Sequence, residues 1–233
     1  MMRREAAWLR ANLERFSTED LSPLLSIGSG SKAFRQEFQP WIERDVYAPL
    51  ESRHVAVLHH ELSNAPGVDI TGDLGDEEVR ERLRDLGVKC ILCLNVFEHV
   101  TDRASLARAL MAALPPDGLA VVTVPHRFPY HPDPIDTMFR PSPQELASLF
   151  EGATVIASGV VRCESLLDHW LRKPGKLNAI RKAISGTPRV EATAAKQRGG
   201  TRPGPSRADL AAMALRSTEV TYVTLRRSLR TSP

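Results

Sequence analysis

Apolar residues recur at two different spacings along this 233-residue chain. Ala6, Leu9, Leu13 and Phe16 fall three or four apart, with Trp8 and Asn12 alongside. That spacing puts them on one helical face, so residues 1–18 predict an amphipathic leading helix. Pro23-Leu-Leu-Ser-Ile-Gly-Ser-Gly-Ser-Lys-Ala33 is a short apolar strand running into a glycine turn. His54-Val-Ala-Val-Leu58 and Val68-Asp-Ile-Thr71 predict the second and third strands. Asp76 to Leu86 is charged except on the line through Val79, Leu83 and Leu86, the pattern of a surface helix. Val88 to Leu94 and Leu119 to Val124 are almost wholly apolar, as expected of strands covered on both faces. Between them, Thr101 to Leu114 reads as a helix closed by Pro115-Pro-Asp-Gly118.

Ser142-Pro-Gln-Glu145 is an N-cap signature, with Ser as the cap, Pro at the first helical position and Glu at the third, for a helix reaching Phe150. Ala153 to Val161 and Val220 to Leu225 supply the last two strands. Seven strands alternating with helices predict an α/β fold built on a doubly wound, mostly parallel sheet. The expected organisation is one domain over 1–233, with a helical and loop insertion at 162–218 before the last strand. The Gly, Pro and Arg-rich stretch 186–207 has no apolar face and predicts a partly mobile loop.

Charge sharpens this picture. The net charge is +3, but from Arg162 onward 15 Lys and Arg stand against five Asp and Glu. Aromatic residues are almost absent there, so base stacking has no support and no nucleic-acid partner is expected. The longest apolar runs are too short to span a bilayer, and the first residues lack the apolar stretch of a signal peptide. Three cysteines make no disulfide framework, which points to a reducing, cytoplasmic setting. Cys90 and Cys93 form C-x-x-C inside a predicted strand, where they point to opposite faces and read as core.

Candidate chemistry gathers at the strand ends. Gly28-Ser29-Gly30 lets backbone approach a ligand next to free helix N–H groups. Glu61, after the surface pair His59-His60, can accept two ribose hydroxyls, and Asp73 can accept from an exocyclic amine. On a helix, Asn95, Glu98 and His99 share a face. One carboxylate is thin for magnesium, so that face is expected to give support and packing, and no metal is expected. The loop Pro125 to Asp136 is stiffened by four prolines and concentrates His126, Tyr130, His131, Asp133 and Asp136, with Arg140 beyond.

In order, Leu25-Ser-Ile-Gly-Ser-Gly30, Glu61, Pro66-Gly-Val-Asp-Ile-Thr-Gly-Asp73, Cys93-Leu-Asn-Val-Phe-Glu-His-Val100, Pro115-Pro-Asp-Gly118 and Val124 to Pro134 resemble the class I S-adenosylmethionine-dependent methyltransferases. Within them, the chain is most similar to the small-molecule branch associated with polysaccharides and natural products. The resemblance covers about residues 20–150. It implies a Rossmann-like fold and S-adenosylmethionine as cofactor. Gly28, Ser29 and Gly30 would pass beneath its methionine part, Glu61 would hold the ribose, Asp73 and Leu74 would face the adenine, and Leu94 and Asn95 would border the methionine end.

It further implies methyl transfer, expected as O-methylation, to a small-molecule or sugar-containing acceptor; a homo-oligomer is compatible with this. His126 or His131 would take the acceptor proton, with Tyr130, Asp133 and Arg140 binding the acceptor. The chain departs from the family pattern at Ser26, where an acidic residue is usual, and in the inserted Gln39-Pro-Trp-Ile-Glu-Arg44. A methyltransferase-like binding or scaffold protein is the alternative that Ser26 favours. An NAD-dependent oxidoreductase is a weaker one, resting on Gly28-Ser-Gly30-Ser-Lys-Ala33.

Overall fold

The computed structural model describes residues 1–131, 135–171 and 215–228. By its contacts the chain divides into two compact units, Met1–Cys163 with Thr218–Pro233, and Glu164–Ser217. The first carries a seven-stranded sheet. Its strands are β1 (Leu24–Ile27), β2 (Val57–Glu61), β3 (Ile70–Thr71), β4 (Cys90–Leu94), β5 (Leu119–Arg127), β6 (Ala153–Ser165) and β7 (Ser217–Arg227). They lie in the order β3-β2-β1-β4-β5-β7-β6. The first five pair in parallel, and β7 runs antiparallel to β5.

Among the described residues there are eight α-helical segments: α1 (Arg3–Leu13), α2 (Thr18–Leu21), α3 (Pro40–Ile42), α4 (Ala48–Ser52), α5 (Glu77–Asp85), α6 (Arg103–Ala113), α7 (Pro143–Ala147) and α8 (Leu166–Leu171). Alternating side chains of the strands feed two cores. Leu25, Ile91, Cys93, Ala120 and Val122 pack with Leu83 of α5, Leu110 of α6 and Leu146 of α7. Leu24, Cys90, Leu92 and Val121 pack with Ala6 and Leu9 of α1, Trp41 of α3 and Leu50 of α4. Cys90 and Cys93 thus face opposite layers, as strand alternation demands, and burial pushes both thiols up, Cys90 to about 12.

The differences from the sequence expectation are local. β2 lies three residues later than expected, because His54 takes a positive φ in the preceding turn. His59 and His60 are therefore strand residues rather than loop surface, and His60 is buried. Asn95 also has a positive φ and precedes a single 3-10 turn, Phe97–His99, so Asn95, Glu98 and His99 share no helical face. The Ser142 cap forms as expected, accepting from Glu145 N–H, but α7 ends at Ala147. In the second unit, Ser165 caps α8 by accepting from Asp168 N–H at 3.1 Å. Most of the basic 162–218 insertion lies outside the described residues. Among the described residues, no helix is long and apolar enough to cross a membrane.

The insertion at Gln39–Arg44 belongs to a run of short α and π-helical turns that drives Trp41 fully into the α1-side core. Trp41→Ala is expected to cost about 3–5 kcal/mol through lost burial and the cavity left behind. Urea unfolding followed by circular dichroism measures it.

Candidate active site

Between β1 and β4 the strand order reverses its direction of growth. A crevice opens outside the carboxyl ends of the strands at such a switch point. Here it is a cleft of about 640 Å³, and its walls come from successive strand ends. Ile27, Gly28 and Gly30 follow β1, His60 and Glu61 end β2, Asp73 and Leu74 follow β3, and Asn95 and Val96 follow β4. His99, Asp102 and Ser105 continue the wall into α6.

The glycine turn is fixed by sterics and by two side chains. Gly28 and Gly30 both have positive φ. A Cβ on Gly28 would stand 2.8 Å from Val96 Cγ2, and one on Gly30 would strike the Phe34 ring. Glu61 Oε1 accepts from Gly30 N–H at 2.5 Å, locking the end of β2 to the turn. On the other side, buried Arg35 donates to the carbonyls of Gly30 and Gly67. Ser26, where the family pattern is acidic, is buried 2.7 Å from the Tyr47 hydroxyl, and burial pushes that phenol up to about 12.

Six of the eight residues expected at the cofactor line this one cleft: Gly28, Gly30, Glu61, Asp73, Leu74 and Asn95. Two do not. Ser29 is buried beside the turn and donates to Gly30 O, and Leu94 is the last residue of β4, packed into the α1-side core. Neither side chain points into the cleft because the strand and turn alternate their side chains across the sheet.

The residues expected at the acceptor are scattered. His126 lies within β5, at a break in the pairing with β7, and its Nδ1 sits 3.0 Å from Pro141 O and 3.1 Å from Thr221 Oγ1. Its ring braces the sheet end rather than reaching the cleft wall. Arg140 is engaged by both oxygens of Asp136, at 3.1 and 2.6 Å, and donates to the carbonyls of Phe128, Pro129 and Phe139. That guanidinium ties the loop together. Tyr130 is exposed, and Asp133 lies outside the described residues. His131 sits beside His99, with ring centroids 5.3 Å apart.

Glu5 is the polar residue that the sequence reading passed over. It is buried on α1, and its Oε1 accepts from Asn95 Nδ2 and Thr123 Oγ1, both at 2.8 Å, while Oε2 accepts from Met2 N–H. Asn95 is thereby held in its left-handed conformation at the cleft floor. The signal lay in the spacing: Glu5 stands four before Leu9 and seven before Asn12, on the buried face of α1.

Residues 2–156 match the family model for a methyltransferase domain. With the parallel sheet and its switch-point cleft, this defines a class I S-adenosylmethionine-dependent methyltransferase. The chain belongs to that methyltransferase domain family. No curated sequence matches it. Among solved structures it is similar to coclaurine N-methyltransferase bound to N-methylheliamine and S-adenosylhomocysteine, with 15% identity, 95% of this chain and 70% of that one covered, and a TM-score of 0.51. A protein from Galdieria sulphuraria named as a sarcosine dimethylglycine methyltransferase aligns with 14% identity over 97% of this chain and 86% of that one, at a TM-score of 0.50. The [4+2]-cyclase SpnF gives 14% identity, 96% and 81% coverage, and a TM-score of 0.50. These likenesses concern the fold.

Two predictions follow from the polar clusters. Glu5→Ala leaves the Asn95 amide and the Thr123 hydroxyl without their acceptor, a cost of about 1–3 kcal/mol per orphaned group, measurable by urea unfolding. For Asp136, burial opposes ionisation, but hydrogen bonds from Arg140 and from the N–H groups of His131 and Met138 outweigh it and bring the pKa to about 2. A folded pKa below the unfolded value means stability present above about pH 4 and lost as pH falls toward 2. Asp136→Asn should remove that part of the acid transition, read by thermal melting across this range.

Proposed function

We propose that the switch-point cleft binds S-adenosylmethionine and that the enzyme methylates an oxygen of a small-molecule or sugar-containing acceptor. One observation supports this reading best: six residues from the ends of four strands, singled out by their types, converge on one 640 Å³ cleft. The positive-φ glycines leave room for a ligand against bare backbone. Glu61 is positioned for the ribose hydroxyls, and its anchor at Gly30 couples that end of the ligand to the turn. Asp73 and Leu74 flank the adenine end. Asn95, held by Glu5, borders the methionine end.

Bound S-adenosylmethionine supplies a methyl group already activated on a sulfonium. The work left to the protein is to align acceptor, methyl and sulfur and to keep water from the line between them. The apolar part of the wall, Phe34, Leu62, Val96, Val100 and Leu106, serves that exclusion. His131 and the half-buried His99 flank the acceptor side; His126 serves the sheet end instead.

Glu61→Gln is the direct test, because the amide oxygen can still accept from Gly30 N–H while the charge is gone. Titration calorimetry should show cofactor affinity falling at least several-fold, with the melting curve little changed. If neither S-adenosylmethionine nor S-adenosylhomocysteine binds the wild-type chain, the cleft has another ligand and this reading fails.

A further inference from the structure

Beside the cofactor cleft, one buried carboxyl group and two imidazoles come together. Glu98, His99 and His131 each offer one ligand atom, and these atoms all lie within 4.8 Å of one another. We propose that these three side chains bind a single divalent transition-metal ion, of the zinc or manganese class, at the acceptor edge of the cleft.

Three independent observations support the site. First, Glu98 is 1% exposed, and its Oε2 has no hydrogen-bond partner. A carboxyl oxygen stripped of water and left unpaired is costly, and a cation is the ligand that offsets it. Second, Glu98 Oε1 and His99 Nε2 stand 3.7 Å apart, too far for a hydrogen bond. Metal bonds near 2.0–2.2 Å put two ligands of one ion about 3–4 Å apart, which this separation matches. Third, His99 Nδ1 is 2.5 Å from the carbonyl of Ile135. That contact requires the proton on Nδ1 and leaves the Nε2 lone pair directed at the Glu98 side, the arrangement by which ligating histidines are oriented. The loop carrying His131 is held in turn by Asp136, which accepts from His131 N–H at 3.1 Å and pairs with Arg140.

Burial pushes the Glu98 carboxyl up to about 7; its own backbone N–H lowers it, and the Glu5 charge raises it again. The groups facing it are Glu5, His99, Arg140 and the N-terminal amine. The structure thus changes the sequence expectation in two ways. Asn95 is engaged by Glu5, and of the two loop histidines that could help Glu98 and His99, it is His131 and not His126 that stands with them. Two imidazole nitrogens with one carboxylate suit zinc, manganese or cobalt, whereas magnesium and calcium prefer all-oxygen sites. His99 also lines the cleft, so an ion here is reachable by a ligand inside it. On the methyltransferase reading, the ion would hold an oxygen-bearing acceptor, and His99 and His131 would serve as ligands rather than bases. Ion binding itself does not depend on that reading.

The test uses the full chain without an affinity tag, stripped with chelator and then titrated with Co²⁺ by visible absorption and with Zn²⁺ by calorimetry, in the absence of cofactor. The expected result is one ion per chain, with millimolar Mg²⁺ unable to compete. Glu98→Gln, His99→Ala and His131→Ala should each weaken binding at least tenfold. His126→Ala, outside the cluster, should leave it unchanged. Glu98→Gln should keep the apo melting temperature at or above wild type, since the buried carboxyl is replaced by a neutral group, while ion binding is lost. Absence of stoichiometric binding overturns the proposal, as does undiminished binding in a His99→Ala/His131→Ala double variant or equal loss in His126→Ala. Cofactor binding, measured separately, distinguishes failure of this site from failure of the methyltransferase reading.

Discussion

The molecule depends on one topological constraint, the reversal of strand order between β1 and β4. Right-handed crossovers send the chain to one side after β1 and to the other after β4, so the connections leaving their carboxyl ends diverge. No helix can cover the gap that results. Everything that touches the cleft, from the glycine turn to the first turn of α6, is where it is because the backbone parts there. The two packed layers then serve to keep the strand ends in register, with Leu24 paired to both Val57 and Cys90 and Ile27 to both His60 and Cys93.

Buried and half-buried carboxylates set the local geometry around this gap. Glu5 joins α1 to the ends of β4 and β5 through Asn95 and Thr123. Glu61 joins β2 to the glycine turn, and Asp136 folds the segment after β5 around Arg140. Each is satisfied by donors from a different element, so removing one disturbs at least two parts of the structure. Glu98 differs from these three in having a buried oxygen with no donor, which is why it stands out as a place for a cation.

Much of the fold was legible in the sequence because burial on both faces leaves a plain record. Val88 to Leu94 and Leu119 to Val124 read as central strands and are central strands. Residues under backbone rather than packing control were less legible. His54 and Asn95 take positive φ, which Asn and His adopt more readily than most residues but which residue type alone does not fix, so β2 was expected too early and the turn after β4 was expected as a helix. In the site, Gly28, Gly30, Glu61 and Asp73 could be named because each follows an apolar run within three residues. His126 and Arg140 were harder to place for the opposite reason. Residue type suggested chemistry, whereas their partners, Thr221 and Asp136, are set by long-range pairing and by the path of a loop.

The cleft wall also has a sign. Its lining includes Glu61, Asp73 and Asp102, and neither Lys nor Arg. Beneath the turn, Ser26 and Tyr47 pair as hydroxyls, and the Arg35 guanidinium is spent on the carbonyls of Gly30 and Gly67, so the ionisable groups on the lining itself are acidic or imidazole. Low-dielectric walls concentrate such a field inside a concave surface, and salt weakens it only beyond about 8 Å. A sulfonium-bearing ligand carries one more positive charge than the thioether left after its methyl departs. In a wall of this polarity, the two species experience different potentials. On the proposed function, the carboxylates that draw the first inward hold the second less strongly, so methyl transfer itself weakens the electrostatic grip on the spent ligand.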